Sequence, residues 1–209
     1  MRYKYNRTYH LPWSPGATSD DKIIHSVEHF IGHDVIVTEK MDGENTTIYS
    51  DGTCHARSLD SGFHPSRTWI YQLAGQIGYQ IPTNWRICGE NLFAEHSIHY
   101  TNLSTYFMVF GIYDENNICL NWDDTKEYCQ MLDLQTVPEL YRGQWDEELI
   151  KKCYKQIGNY GIQEGYVVRK TQAFSYDDFN LNVAKWVRSN HVQTDEHWSS
   201  KSVIQNTLK

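Results

Sequence analysis

A short β-branched run that breaks into a charged turn sets the local folding pattern of this chain. Asp34-Val-Ile-Val-Thr-Glu-Lys40 is followed by Met41-Asp42-Gly43 and then by Asn45-Thr-Thr-Ile-Tyr49. β-branched residues fit a pleated, half-buried surface, and the Asp-Gly pair is a turn signal. Asp51-Gly52 is a strong hairpin turn, after which Thr53 to Arg57 returns. The spacing predicts a three-stranded meander with Lys40 at the end of its first strand.

Elsewhere the periodicity alternates between helix and strand. Pro12, Pro15 and Gly16 mark a loop-rich entry. Ser19-Asp20-Asp21 is suited to cap a helix from about Lys22 to Ile31, closed by Gly32. Ile70, Leu73, Ala74 and Ile77 share one side of a helix predicted from Thr68 to Ile77. Two further amphipathic helices are expected over Asp123 to Leu134 and Asp146 to Ile157, each with acidic residues at the end that favours them. Trp85 to Cys88, Tyr106 to Tyr113, Gln163 to Arg169 and Asn182 to Arg188 read as strands. The fold class expected is α+β with mainly antiparallel sheets. No Pro/Gly/Ser linker divides the chain, so one domain is expected over 1–209, with the polar stretch after His197 loosely held.

The net charge of -7 counts against a protein that holds duplexes by bulk electrostatics. It leaves room for a local cationic site. No apolar run reaches the roughly 18 residues of a membrane span, and the first residues carry no apolar stretch like that of a secretory leader. Five cysteines, an odd number without a CxxC pair, favour a reducing cytoplasm over a disulfide framework or a zinc site. The aromatic share of 14% suits a β-rich core and also a site that stacks bases. No Walker loop and no GxSxG elbow is present. His25, His29 and His33 would lie along one face of the first helix, where a solvated face is favoured over a metal site.

Four charged positions stand at strand ends or inside strands. Lys40 leaves its strand into the Asp-Gly turn, with Glu39 before it. Glu90, in Ile87-Cys88-Gly89-Glu90-Asn91-Leu92, follows an apolar strand. Glu164 opens Glu164-Gly165-Tyr166-Val167-Val168-Arg169. Lys185 is the single lysine of Val183-Ala184-Lys185-Trp186-Val187. Each alone fits a solvated strand end; the ordered set does not.

That set resembles motifs I, III, IV and V of the covalent nucleotidyltransferases, the superfamily of DNA ligases, RNA ligases and capping enzymes. Phe107 to Asp114 lies where motif IIIa would be. The nearest likeness is to the RNA ligases of the phage RNA ligase 2 type, over about residues 7 to 188. Asn45 is what RNA ligases carry in Lys-x-Asp-Gly-x-Asn, whereas DNA ligases and capping enzymes usually have Arg there. The stretches Arg7 to Ser14 and Ala94 to Tyr100 look like pieces of the same group. The resemblance implies an ATP-grasp-like ligase adenylation fold, its antiparallel sheets flanked by helices. It implies an ATP-dependent RNA ligase that forms a lysyl-AMP at Lys40, with Mg²⁺ or Mn²⁺ as cofactor and RNA ends as substrate. Glu164 would hold the metal and Lys185 would support the phosphate steps. Glu90 would bind the ribose hydroxyls and Arg57 a sugar or phosphate; Glu39 would meet the base edge and Asn45 help place the RNA end. Phe110 would stack on adenine, with Phe107 as the alternative. Arg169 and Arg188 would add positive charge.

Two departures stand out. Val183 occupies the first lysine position of the family's Lys-x-Lys. Only about twenty residues follow motif V, which predicts a nearly bare adenylation domain without an OB or helical domain, its grip on RNA supplied by a partner protein or a pre-paired substrate. A DNA ligase, a capping-type enzyme and a non-catalytic nucleotide- or RNA-binding module of the same fold remain the alternatives.

Overall fold

The computed structural model describes residues 1–189 and 203–209. In chain order the strands are β1 (Tyr9–His10), β2 (Asp34–Lys40), β3 (Glu44–Tyr49), β4 (Cys54–Ala56), β5 (Arg86–Asn91), β6 (Phe107–Tyr113) and β7 (Ile118–Cys119). They continue with β8 (Gln135–Thr136), β9 (Glu139–Gln144), β10 (Ile157–Gly158), β11 (Gly161–Ile162), β12 (Gly165–Lys170), β13 (Phe174–Ser175) and β14 (Val183–Val187). The α-helices among the described residues are α1 (Thr68–Ile77), α2 (Trp122–Met131) and α3 (Glu147–Lys151).

The strands form two main sheets. One runs β1-β14-β12-β2-β9; the other runs β13-β7-β6-β5-β3-β4, with β8 joined to β6. β1 with β14 and β6 with β8 are parallel, and the remaining named strand pairs are antiparallel. The α+β class with mainly antiparallel sheets is therefore what the chain adopts.

The expected meander is only half present. β3 and β4 form the Asp51-Gly52 hairpin, but β2 and β3 belong to different sheets. The reason lies in β2 itself, where Val35, Ile36 and Val37 are all fully buried. Val35 and Val37 pack in one apolar cluster and Ile36 in another, so the strand needs cover on both faces and a neighbour on both edges. β12 and β9 supply the edges. Met41-Asp42-Gly43 is thus a crossing from one sheet to the other. A Cβ at Gly43 would come within 2.5 Å of the Asn91 carbonyl oxygen, so only glycine passes there.

Three other expectations are corrected. No helix spans 22–31; only Glu28–Phe30 makes a 3₁₀ turn. The backbone of this stretch is used elsewhere, as His10 N–H donates to Lys22 O and Ile24 N–H donates to His10 O. Asp21 accepts from the Thr18 N–H and hydroxyl and does not cap a helix. His25, His29 and His33 therefore share no helix face. The third helix stops at Lys151, after which the chain turns into the β10–β11 hairpin. The tail expectation falls partly on residues outside the described range, but residues 203–209 are bound to the body of the protein.

Candidate active site

The three adjacent strands β2, β12 and β14 bring the charged residues together. Lys40 ends β2 opposite Gly165 of β12, and Lys185 of β14 lies opposite Val167 of the same strand. Glu164, immediately before β12, is thereby placed with Oε2 2.7 Å from Lys40 Nζ. The second sheet contributes the facing wall. Asn45 on β3 is paired directly with Glu90 on β5, Phe110 lies on β6, and Arg57 follows β4.

A cavity of about 250 Å³ opens between these walls, and Lys40, Lys185, Glu39, Asn45, Arg57, Glu90 and Phe110 all line it. Glu164 stands behind Lys40, is 3% exposed, and is not part of the wall itself. The structure thus gathers around one cavity residues that the sequence separates by up to 146 positions, from Glu39 to Lys185.

The electrostatics of the site are those of buried carboxylates facing lysines. Burial alone would lower the pKa of Lys40, but Glu164, Glu90 and Asp42 outweigh it and hold the ammonium form above its ordinary range. The protein's own side chains therefore keep this amine charged rather than free it. Burial pushes the Glu90 carboxyl up to about 8 against the pull of Lys40, with Glu164 and Asp42 adding to the rise. Glu164 is raised too, by burial, despite its ion pair. Lys185 is pulled down to about 8 by burial and by the charge on Lys40.

Individual neighbours sharpen these positions. Glu39 is 2% exposed, and its Oε2 accepts from both the N–H and the side-chain Nδ2 of Asn159, at 3.2 and 2.8 Å. A Cβ at Gly158 would meet Glu39 Oε1 at 2.5 Å, so the β10–β11 hairpin closes tightly over this carboxylate. Glu90 Oε1 accepts from the Gly43 N–H at 3.2 Å. Asn45 Oδ1 is buried without a hydrogen-bond partner among the described residues. Phe110 is half-buried on the cavity wall, whereas Phe107 is fully buried in the core against Gly89. Of the two rings the structure puts only Phe110 at the site.

Arg169 lines the cavity, but its guanidinium donates to the carbonyls of Phe110, Leu120 and Lys170. It holds the wall rather than offering its charge. Arg188 is not on the cavity wall. Val183 is, and it packs with Phe174 and Phe179.

Sequence reasoning missed Tyr5, Arg7 and Asp21 as parts of the wall. Tyr5 sets its ring edge-on to Phe110 at 5.0 Å. Arg7 donates toward Asp21 at 3.5 Å, and its charge joins burial in lowering the pKa of Arg57. Asp21 lies 3.8 Å from Lys185 Nζ and 3.4 Å from His10 Nε2. Its carboxyl drops to about 2, because hydrogen bonds from Thr18 and the charge of Lys185 outweigh burial. The capping pattern of Ser19-Asp20-Asp21 hid it.

A family model described as RNA ligase matches residues 33–187. Among curated proteins, none matches the sequence. Among solved structures, the RNA ligase of Naegleria gruberi with PPi is similar with a TM-score of 0.55 and 19% identity, over 78% of this chain and 51% of that one. A mutant of that ligase with ATP and Mn gives 0.52 and 17%, over 78% and 52%. An archaeal ATP-dependent RNA ligase gives 0.54 and 18%, over 78% of this chain and 45% of that one. At these identities the likeness is one of fold. This chain spans about half the length of the solved relatives it matches.

Proposed function

The chain belongs to the RNA ligase family, and from that premise we propose that it is an ATP-dependent RNA ligase whose nucleophile is Lys40. The observation that carries this reading is the convergence of Lys40, Glu164, Lys185, Glu90, Asn45 and Phe110 around one cavity or its immediate backing. A binding module has no need of a lysine at the mouth of a strand with a carboxylate 2.7 Å behind it.

The residues divide the work. Phe110 offers a ring to the adenine, and Glu39, its carboxylate held by Asn159, would meet the base edge. Glu90 accepts from the ribose hydroxyls. Arg57 and Lys185 set positive charge toward the phosphates, where the transition state spreads negative charge over oxygen. Lys40 Nζ then attacks the α-phosphorus, the bond to pyrophosphate breaks, and a phosphoramidate forms. An oxygen of the RNA 5′-phosphate next displaces Lys40 from the AMP phosphorus. A 3′-hydroxyl finally attacks that 5′-phosphate, AMP leaves, and the hydroxyl proton passes to solvent.

To react, Lys40 must lose a proton that Glu164 now helps to keep. The buried Glu164 carboxylate offers the hard oxygen donors that Mg²⁺ or Mn²⁺ takes. Glu164 would hold such an ion, whose positive charge there competes with Lys40 for the carboxylate and lowers the amine's hold on its proton. A single protein carboxylate would suit Mg²⁺, which keeps several waters when so held.

RNA as the substrate is supported by family membership, with Asn45 on the cavity wall as the residue that would help place the RNA end. The test is end joining on two nicked duplexes that differ only in whether the 5′-phosphate strand and its 3′-hydroxyl partner are RNA or DNA. Sealing of the RNA nick with ATP, and a transient 5′-adenylated RNA, are expected. Sealing of DNA alone, or labelling by GTP in place of ATP, would move the chain to one of the other ligase-type activities.

A further inference from the structure

Residues 92–106, between β5 and β6, form no named strand or helix, yet Leu92, Ile98, Tyr100, Leu103 and Tyr106 within them are buried in one apolar cluster. Buried irregular backbone must find hydrogen-bond partners, because unpaired polar groups away from water are costly. Here many of those partners come from residues 203–209. Glu95 N–H donates to Ile204 O, Leu103 N–H to Thr207 O, Thr207 N–H to Tyr100 O, and Asn206 N–H to Phe93 O, at 2.8 to 3.1 Å. The isolated bridges at Ala94 and Leu103 are both made with this segment, to Gln205 and Leu208.

Within 203–209 only Asn206 is buried; Val203, Ile204 and Leu208 are exposed. The segment is held by polar bonds rather than by apolar burial, and Asn206 makes the central ones. Its Oδ1 accepts from Tyr100 N–H at 2.8 Å, and its Nδ2 donates to Leu92 O at 2.8 Å and Ala94 O at 3.3 Å. Its carbonyl accepts from the Tyr106 hydroxyl at 3.0 Å.

The other side of the same stretch binds Asp42. The Tyr100 hydroxyl accepts from Asp42 N–H at 3.0 Å. Asp42 Oδ2 accepts from Ser97 N–H, Ser97 Oγ and Ile98 N–H, at 2.8, 2.8 and 2.7 Å. Asp42 is two residues from Lys40, in the crossing where the chain leaves one sheet for the other. Its main chain and carboxylate are both gripped by a stretch with no secondary structure of its own.

We propose that Asn206 is a positioning residue for the reactive lysine. It fixes Tyr100, and through Tyr100, Ser97 and Ile98 it fixes Asp42 and the exit of Lys40 from β2. The catalytic part of this proposal rests on the lysyl-AMP reading above; the mechanical part, from Asn206 to Asp42, does not. Nucleophilic attack needs the lysine in line with the α-phosphorus, and displacements on the order of 1 Å are enough to slow such a step greatly.

The test uses Asn206→Ala, Tyr100→Phe and the double variant in the full chain. Two quantities are read: the single-turnover rate and ATP dependence of lysyl-AMP formation, and hydrogen exchange at the amides of Asp42, Ser97 and Ile98. Each single variant is expected to slow label formation by about tenfold while the ATP concentration for half-maximal rate moves by less than about twofold. The double variant should be no slower than the slower single, since both act along one path. The three amides should exchange faster in Asn206→Ala. Tyr100→Phe keeps its buried ring and removes only the oxygen, so it answers the question if Asn206→Ala fails to fold. A folded Asn206→Ala protein with wild-type rate and unchanged exchange at these amides would overturn the proposal. Wild-type protein that forms no label at all would overturn the ligase reading instead, and exchange would then decide the mechanical part alone.

Discussion

The two sheets that enclose the cavity are built for different tasks. The five-stranded sheet brings Lys40 of β2 and Lys185 of β14 to either side of β12, with Glu164 immediately before that strand, so that their charges act on one another within the fold. The seven-stranded sheet presents Asn45, Glu90 and Phe110 as a surface of fixed shape, with the buried Phe107 and Gly89 packed behind it. On the proposed function, Lys40, Glu164 and Lys185 would tune reactivity through charge, while Phe110 and Glu90 on the other wall would take the nucleoside through shape and hydrogen bonds. Mutations on the first should therefore cost rate, and mutations on the second should cost binding.

After Lys40 itself, the largest effect is expected at Lys185. Lys185→Ala should slow label formation by ~10²–10³-fold, the scale for losing one preorganised positive partner of a developing phosphoryl charge. ATP binding should weaken far less, and Lys185→Arg should recover part of the rate; rapid-quench kinetics over an ATP series would show both. Phe110→Ala should do the reverse. Losing base stacking worth ~1–2 kcal/mol raises the ATP concentration for half-maximal rate roughly tenfold and leaves the maximal rate within about threefold. A Phe110 variant that bound ATP normally but reacted slowly would break the division of labour between the sheets.

The smallest effect concerns stability. The Glu90 carboxyl rises from its ordinary 4.5 to about 8 on folding, so between those values the folded protein binds a proton that the unfolded chain lacks. Stability must then fall as pH rises through that window. Glu90→Gln removes this loss. The variant should be more stable than wild type by ~1–2 kcal/mol above pH 8, with the gain vanishing near pH 4, a difference calorimetry can follow. Equal stabilities at both ends would mean that Glu90 is not held as a buried carboxyl.

Strands were the legible part of the sequence. β2 matches its predicted limits at both ends, because a β-branched run between Gly32 and the Asp-Gly turn leaves little choice. α1 matches for the same reason, having four apolar residues at helical spacing. Which strands pair was not legible. Nothing local tells that Met41-Asp42-Gly43 crosses between sheets, since the crossing depends on β12 and β9, more than ninety residues away in sequence. The helix expected over 22–31 failed because long-range pairing with β1 took the backbone that helix propensity claimed. At the site, the charged positions at strand ends marked where Lys40, Glu90, Glu164 and Lys185 lie. Tyr5, Asp21 and Asn159 carried no such mark: they reach the cavity, or the carboxylate on its wall, from irregular segments whose course the side-chain pattern does not set.

The decisive measurement is covalent labelling. Purified protein, stripped of any bound AMP, is incubated with a divalent cation and α-labelled ATP or GTP and run on a denaturing gel, with Lys40→Ala beside it. A label from ATP, absent from GTP and lost in Lys40→Ala, is the result expected of a lysyl-AMP enzyme. A label that survives in Lys40→Ala, or no label from either nucleotide, would contradict the assignment of Lys40 as the nucleophile.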